Sequence, residues 1–447
     1  MTRPYGAVLQ GGKTGEKLSV LDYISIIFAV YMMSGSSSDL YMYIGAALFL
    51  LWIAVGIFTE FESFSKIIME KTVILLLIFS VFMFLQTIQV GGYVRGAKQA
   101  MSILINFSPL FIFLYYKTSG YIERLKKVLL ATLCGWAYFC FVALFFYEQY
   151  EDAARNMAGG TDEYGVLAIG GGYALAYGSA ILCVFLLSLR ISKKHTDIFD
   201  FKGNYVKIIY KFIFWTYILL TFFLVIETKS TMTIIFMIVG LVICIAFFPN
   251  KINEAGEKVY STRNVISLFI VAISVIGLTI YTKEIGQFIV DITKDNVDDV
   301  VFNRLHGMGS YLVYGDDYGS TSFQNRLNLP LASLSVFLDN PIFGVGHLHG
   351  NGHFHPSLFG IGNHCEWADI LGNYGLIFGG ILLYVYSSVI FKKKNDSERT
   401  VSSAWKWSYV GLGLFNPFLS FNSILIVFFV IPAVFLIIDE NKKHKKS

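Results

Sequence analysis

The sequence predicts an all-α polytopic membrane protein with about twelve transmembrane helices and one large external loop between the ninth and tenth helices. Of its 447 residues, 55% are hydrophobic and 15% are charged, whereas an ordinary soluble domain has about 25% charged residues. The mean hydropathy is +0.60. Apolar stretches recur near the length of about 20 residues that a spanning helix needs. The composition therefore excludes a soluble multidomain protein, a disordered chain, a disulfide scaffold and a coiled coil.

Twelve stretches are apolar enough to be membrane spans, and they show no repeat of fixed period. The first and eleventh are the weakest, because Asp22 and Pro417 interrupt them. The predicted spans cover residues 20–34, 41–58, 72–90, 100–116, 128–147, 165–189, 208–226, 230–248, 265–282, 367–390, 404–419 and 421–438.

The spans divide the chain into three parts. Residues 1–282 form a membrane domain with helices 1–9, residues 283–366 form an external loop, and residues 367–447 hold helices 10–12 and a basic cytoplasmic tail. Loops as long as the second part are usually functional or disordered. We therefore expect 283–366 to be a functional loop.

The distribution of Lys and Arg predicts that both termini are cytoplasmic, because cytoplasmic loops retain an excess of these residues. With the N-terminus inside, the seven cytoplasmic segments hold 25 of the 35 basic residues. Two more, Lys211 and Lys406, lie at cytoplasmic span ends. The other eight lie on the opposite side: Arg95, Lys98, Arg155, Lys229, Lys283, Lys294, Arg304 and Arg326.

Some of these external cations lack acidic neighbours in the sequence. Arg95 and Lys98 lie in GGYVRGAKQ, which contains no acid, and Lys229 lies between two apolar spans with Glu227 nearby. A cation at the membrane boundary without a full partner is a candidate anion site. Arg155, Lys283 and Lys294 have acidic neighbours, so solvated ion pairing is the better interpretation for them.

The external loop changes in composition along its length. Residues 284–299 are acidic and amphipathic, which favours a solvated helix or surface segment. Apolar residues between Leu331 and Leu338 predict a short amphipathic helix at the membrane interface, bounded by Pro330 and by Asn340-Pro341. The following PIFGVG is a predicted turn whose glycines let backbone segments pack closely.

Six of the eight histidines lie in this loop. The HLHGNGHFH tract has the spacing of metal ligands on a strand, but it contains no Cys or carboxylate, which favours a hydrogen-bonded polar loop and no metal site. The five cysteines form no CxxC pair, so no zinc site or disulfide is predicted. His364 differs because it stands just before a span. It is either a reactive group at the membrane boundary or a histidine that caps the helix. The six histidines are His306, His347, His349, His353, His355 and His364.

The stretch from Arg326 to Gly375 resembles the O-antigen ligase and polymerase superfamily of bacterial membrane glycosyltransferases. The shared pattern is an Arg, an apolar helix, a P-x-x-G-x-G turn, a variable insert, and a His ahead of an I-L-x-x-x-G span start. Two positions depart from it: Cys365 stands where Asn is usual, and Lys229-Ser230 stands where many members have Ser-Arg. A lysine binds phosphate as a point charge, without the bidentate geometry of Arg. The matching residues here are Arg326, Pro341, Gly344, Gly346, His364, Ile370, Leu371 and Gly375.

The resemblance implies an inverting glycosyl transfer from an undecaprenyl-diphosphate-linked oligosaccharide, on the outer face of the bacterial cytoplasmic membrane. His364 is the expected general base, and Arg326 is the expected catalytic cation for the diphosphate leaving group. Further diphosphate contacts are expected from Arg304, Arg95, Lys229 and Lys98. Supporting roles fall to Asp369 and Glu366, which could orient His364, and to Gly344 and Gly346. No cofactor or metal is expected, since Arg and Lys replace a divalent ion.

Three functions compete. A polymerase would join lipid-linked repeat units into O-antigen, capsule or exopolysaccharide, and this is the favoured interpretation. A ligase of the same superfamily would transfer finished glycan onto a lipid or protein acceptor. A flippase or transporter also fits twelve spans, but transporters typically show paired repeats and charged or broken helices at mid-membrane. The expected partners are the lipid-linked donor and acceptor, membrane lipid and a chain-length regulator protein, with no nucleic acid.

Overall fold

The computed structural model describes thirteen segments of the chain. They are residues 17–34, 39–149, 172–199, 204–246, 251–252, 258–259, 280–294, 300–314, 321–345, 365–391, 401, 403–415 and 421–446. The described part is almost entirely helical. Its first eight helices are α1 (Val20–Ser34), α2 (Asp39–Ile68), α3 (Lys71–Asn106), α4 (Ser108–Ser119), α5 (Ile122–Gln149), α6 (Gly172–Ile191), α7 (Asn204–Glu227) and α8 (Thr231–Ala246).

A two-residue antiparallel pairing follows α8, between β1 (Lys251–Ile252) and β2 (Lys258–Val259). The predicted external loop contributes α9 (Thr282–Thr293), α10 (Val300–Tyr314) and α11 (Thr321–Asp339). The last part contributes α12 (Glu366–Tyr374), a π-helical turn (Gly375–Gly379), α13 (Gly380–Phe391), α14 (Ala404–Phe415), α15 (Phe421–Leu425), a second π-helical turn (Ile426–Val430) and α16 (Ile431–Lys446).

Seven helices in the described part are long and apolar enough to cross a membrane, and a bent pair of helices raises this to eight. They coincide with predicted spans 2 to 7, 10 and 12. The bent pair, Gly92–Asn106 and Ser108–Ser119, corresponds to predicted span 4. Predicted spans 1, 8 and 11 are shorter helices, α1, α8 and α14. Residues 260–279, most of predicted span 9, lie outside the described residues. The count of twelve and the three-part division of the chain stay predictions.

The most deeply buried helices lie at the centre of the bundle. In α6, 78% of the residues in its apolar stretch are buried, and in the segment Asn422–His444 the share is 83%. Both contact each other, and α5, α7, α8 and α14 pack around α6 or its neighbours. Outer helices such as α7 leave many large apolar side chains exposed, as expected for surfaces that lipid covers.

A buried polar network joins α1, α2, α4 and α5 at one end of the bundle. Arg124 Nε donates to Asp22 Oδ2 at 2.7 Å, and Asp22 is fully buried. Tyr116 donates its hydroxyl to Asp22 Oδ1 at 2.7 Å, and Tyr115 donates to Glu60 Oε1 at 2.8 Å. Asp22, which made the first span weak in the sequence, is therefore compensated by partners on other helices.

The predicted helix at 331–338 exists, but it is longer than expected. In α11, helical residues run from Thr321 to Asp339, so Pro330 lies inside the helix and does not bound it. The C-terminal boundary before Asn340-Pro341 is confirmed. The acidic segment 284–299 is helical at its start, in α9, where the ring of His306 from α10 bonds to Thr293 Oγ1 at 3.0 Å.

Candidate functional site

The turn after α11 docks onto the end of α12 through backbone hydrogen bonds. Leu376 N–H donates to the carbonyl of Pro341 at 2.7 Å, and Val345 N–H donates to the carbonyl of Gly372 at 3.1 Å. These bonds join the PIFG turn to the residues on either side of Gly375. The two halves of the sequence motif, separated by the variable insert, therefore meet in the structure.

Two glycines make this contact possible. Gly344 and Gly375 both have positive φ, of 69° and 64°, a region that side chains other than glycine rarely occupy. A Cβ on Gly344 would lie 2.4 Å from the backbone of Asn373, and a Cβ on Gly375 would lie 2.4 Å from the backbone of Ile342. The expected close packing is thus confirmed for Gly344, whereas Gly346 lies outside the described residues.

A buried carboxylate ties the start of α12 to α11. Asp369 Oδ1 accepts the hydroxyl of Ser333 at 2.5 Å, and Oδ2 accepts the backbone N–H of Cys365 at 3.4 Å. Ser333 is fully buried, and Cys365 and Asp369 nearly so. The N–H of Cys365 belongs to the peptide unit that joins it to His364. Asp369 therefore holds the backbone directly after the candidate base.

The segment 366–388 is long and apolar enough for a span, but it is folded back on itself. The rings of Trp367 and Tyr386 lie 6.1 Å apart, although nineteen residues of straight helix would extend about 28 Å. The reversal occurs at Gly375, whose φ of 64° and ψ of −169° end α12. The predicted span at 367–390 is therefore long and apolar enough to cross a membrane, but it is divided at Gly375 into the hairpin of α12 and α13.

The first turn of α12 rests against α14. Trp367 Nε1 donates to the carbonyl of Val410 at 3.0 Å, and the ring of Trp367 packs against the rings of Tyr386 and Tyr409. Glu366 is half-buried. This contact sets the beginning of α12 among helices of the membrane bundle.

The same helix, α14, also supports α8. Ser408 donates to the carbonyl of Phe236 at 3.0 Å, and Gly411 packs against the ring of Phe236. Through α14, the start of α12 and the first half of α8 belong to one packed unit.

The turn before α8 carries Lys229 in a left-handed conformation, with φ of 51°. The side chain of Lys229 is exposed, and the buried hydroxyls of Ser230 and Thr233 bond to each other at 2.7 Å. Thr231 Oγ1 is buried without a hydrogen-bond partner in the described part of the chain. Free N–H groups at a helix start favour anions. The surroundings of Lys229 are therefore suited to an anion.

The expected loop around Arg95 and Lys98 is helical. The chain reverses at Gly92, which has φ of 76°, and Gly96 then packs against the carbonyl of Phe84. Arg95 is exposed and Lys98 half-buried on this returning helix.

The same reversal lies near the docked turn. The ring of Phe82, in the first part of α3, stacks on Phe378 with centroids 3.5 Å apart. Because Phe378 follows Gly375 within one turn, the two cations and the Gly344–Gly375 contact lie at the same end of the bundle.

The remaining predicted site residues are described only in part or lie outside the described residues. Arg326 and Arg304 belong to α11 and α10, but only their backbone is described. His364 and the histidines of the HLHGNGHFH tract lie outside the described residues. Among the residues that are described, no cluster of three or more His, Cys, Asp and Glu could hold a metal ion.

The sequence reading missed Ser333. Ser333 is one of two serines in LPLASLSVFLD, which is predicted to be an amphipathic helix. Only the fold shows that Ser333 is buried and Ser335 is exposed. A serine on the apolar side of an amphipathic helix is the signal that could have identified it.

Part of the chain is similar to a known family. The family model of the O-antigen ligases matches residues 216–385, from the second half of α7 into α13. The match includes Lys229, Arg326, both glycines of the docked turn, and His364. Comparison with curated proteins gives no match.

Proposed function

We propose that this chain, which is similar to the O-antigen ligase family over residues 216–385, belongs to the O-antigen ligase and polymerase superfamily and is a polysaccharide polymerase. Glycosyl transfer of the ligase and polymerase type follows from the family, and the apolar helices identify a multi-pass membrane protein. The polymerase would join undecaprenyl-diphosphate-linked repeat units of O-antigen, capsule or exopolysaccharide on the outer face of the cytoplasmic membrane.

The observation that carries the proposal is the buried link from Ser333 through Asp369 to the N–H of Cys365. Together with the Gly344–Gly375 contact, it fixes the backbone next to His364. A general base must be held within hydrogen-bond reach of the proton that it takes. A rigid attachment at this peptide supports that role for His364 better than a role as a loop histidine.

In the proposed reaction, a hydroxyl oxygen of the acceptor sugar attacks the anomeric carbon of the donor. The bond from that carbon to the diphosphate oxygen breaks, and the electron pair leaves with the diphosphate. The hydroxyl proton passes to the imidazole of His364. A direct displacement of this kind inverts the anomeric configuration, and it needs no metal if cations neutralise the leaving group.

Several cations are available for that purpose. Arg326 has the planar fork that matches phosphate oxygens, and Lys229 stands at the N-terminus of α8, which favours anions. Arg95 and Lys98 lie at the end of the bundle that holds the turn after α11, and Arg304 is on α10. We assign the diphosphate to this set, with Arg326 as its principal member.

Site variants test the chemistry. His364→Ala should lower the rate about 10²- to 10⁴-fold while donor binding survives. Arg326→Lys should be severely impaired, because it keeps the charge and loses the fork. The matched control replaces His347, His349, His353 and His355 together, which should be much milder. The assay uses purified protein with lipid-linked repeat units, with and without EDTA. Unchanged activity of His364→Ala would contradict the mechanism, and EDTA sensitivity that the tract variant abolishes would indicate a metal site.

The length of lipid-linked glycan in a deletion strain separates the two family functions. Single repeat units indicate a polymerase, whereas long unattached polymer indicates a ligase. A flippase would instead leave repeat units on the cytoplasmic side.

The orientation is tested by labelling. Cysteines placed at Ser320 and Ser397 should react oppositely with a membrane-impermeant maleimide in intact cells, since the first belongs to the external loop and the second to a cytoplasmic one. Equal labelling at both positions argues against this topology.

A further inference from the structure

An apolar cavity of about 330 Å³ lies between α5, α6, α7 and the start of α16. Its walls include Leu133, Phe185, Phe214 and Val434. The volume is within the range of small-molecule sites, about 300–1,000 Å³.

The two tyrosine hydroxyls of the wall are already hydrogen-bonded to backbone carbonyls. Tyr217 donates its hydroxyl to the carbonyl of Leu133 at 2.8 Å, and Tyr210 donates to the carbonyl of His195 at 2.7 Å. Their rings, and not their hydroxyls, are what an occupant would meet. The cavity therefore suits a hydrocarbon chain and offers nothing to a sugar.

The cavity is open between α5 and α7. Leu130 on α5 and Ile213 on α7 line it, and each is about half exposed, at 50% and 55%. These residues belong to spans whose outer surfaces face lipid in a bilayer. An acyl chain can therefore enter sideways from the membrane.

Basic groups surround one end of the cavity. Lys211 is exposed and lies next to Tyr210 in the sequence, and the guanidinium of Arg190 lies 5.6 Å from the ring of Trp215. Both cations act electrostatically on His195, whose ring packs 5.1 Å from Phe214 in the cavity wall. The charges therefore lie beside the wall where a lipid phosphate would sit.

Two acidic side chains on the segments that line the cavity are paired with lysines. Asp197 pairs with Lys194 at 3.6 Å, and Glu123 pairs with Lys126 at 2.6 Å. Arg190 and Lys211 form no ion pair with the residues that the structure describes, and Arg190 Nε is buried there without a hydrogen-bond partner. A bound anion could form ion pairs with both cations.

We propose that this cavity binds one acyl chain of an anionic phospholipid, whose phosphate is held by Arg190 and Lys211. Basic residues at a membrane surface attract anionic lipid in this way. The headgroup belongs at the end of the bundle that bears Lys211, whereas the cations assigned to the donor diphosphate lie at the other end. The site is thus a lipid site separate from the proposed site of glycosyl transfer.

The test uses the delipidated full-length protein in detergent, with phosphatidylglycerol and phosphatidylcholine of the same chains as probes. Native mass spectrometry should show phosphatidylglycerol bound at least tenfold more tightly. Arg190→Gln combined with Lys211→Gln should abolish that preference. Lys66→Gln removes a charge from an exposed pair with Glu62 and should leave the preference unchanged. Leu133→Trp fills the cavity and should reduce binding of both lipids.

Three outcomes would overturn the proposal. One is equal affinity for the two phospholipids in the wild type. Another is the same loss of preference in Lys66→Gln as in the double variant. The third is displacement of the phospholipid by equimolar undecaprenyl phosphate, which would reassign the cavity to a prenyl chain. Because Lys211 is exposed and Arg190 is half-buried, the double variant should remain folded, and its thermal unfolding midpoint is measured beside that of the wild type.

Discussion

Ser333 and Asp369 share a hydrogen bond of 2.5 Å across α11 and α12, thirty-six residues apart in the chain. The same carboxylate accepts the N–H of Cys365. A hydroxyl on α11 thereby positions the backbone at the start of α12. Movement of α11 would be transmitted directly to the peptide that follows His364.

The Ser333→Ala variant tests this link. It leaves Asp369 Oδ1 buried without that donor, which should lower the free energy of unfolding by about 1–3 kcal/mol. It should also lower kcat more than it changes KM, because Asp369 positions the base His364 and does not bind substrate. Ser335→Ala is the control, since Ser335 is exposed on the same helix and its loss should be silent. Equal effects of the two alanines would contradict a positioning role.

The close approach of Gly344 and Gly375 to backbone atoms predicts that alanine is tolerated much less at these positions than at Gly380. Gly344→Ala and Gly375→Ala each place a Cβ 2.4 Å from backbone atoms in a left-handed conformation, at a cost of about 1–3 kcal/mol for the backbone alone. Both variants should lose stable folding or activity. Gly380→Ala is the control, because its Cβ would meet nothing within 4 Å. Thermal unfolding in detergent and polymer synthesis measure the two effects.

The fold-back at Gly375 predicts a cross-link. Cysteines replacing Trp367 and Tyr386 should be joined by a short bifunctional reagent, because the two rings lie 6.1 Å apart. A straight helix would separate these positions by about 28 Å and give no product. Cysteines replacing Trp367 and Tyr384 are a control for reagent reach, since Tyr384 faces Lys71 on α3 and should cross-link less efficiently.

Removal of one partner of the Asp22–Arg124 pair should be strongly destabilising. Both side chains are buried, at 0% and 7% exposure, and an uncompensated buried charge costs about 3–5 kcal/mol. Arg124→Gln should therefore lower the unfolding midpoint far more than Lys66→Gln, which alters an exposed pair. The double variant Asp22→Asn with Arg124→Gln should recover part of the loss. A single variant as stable as the wild type would show that the pair is not formed.

Stability should fall in mildly acidic solution because of His195, in the connection between α6 and α7. Burial, with the charges of Arg190 and Lys211, lowers the pKa of His195 from its ordinary value of 6.5 to about 4. Between these values the unfolded chain binds the proton and the folded chain does not, so stability falls as pH drops through this window. Thermal unfolding from pH 7 to pH 4 measures it. His195→Phe should flatten the dependence, while His444→Gln, at an exposed position, should not.

The sequence predicted those features that depend on local composition or on backbone freedom. Runs of apolar residues located most of the helices, and PIFGVG located the docked turn because positive φ is a local property of glycine. The hairpin at Gly375 was not predicted, because an apolar stretch has the same composition whether the helix is straight or the chain reverses within it. Ser333 and Arg124 were also missed as partners, because their contacts join residues 36 and 102 positions apart.

The pairing of Asp22 with Arg124 has a consequence for biosynthesis. The ribosome completes α1 about a hundred residues before it makes the arginine that neutralises Asp22. During that interval the first helix carries a carboxylate without the cation that pairs with it in the folded protein. We therefore expect α1 to wait at the membrane surface or beside the insertion machinery, and to take its final place only after α5 emerges. The amino-terminal helices would then assemble as a group of five, with the arrival of Arg124 as the committing step.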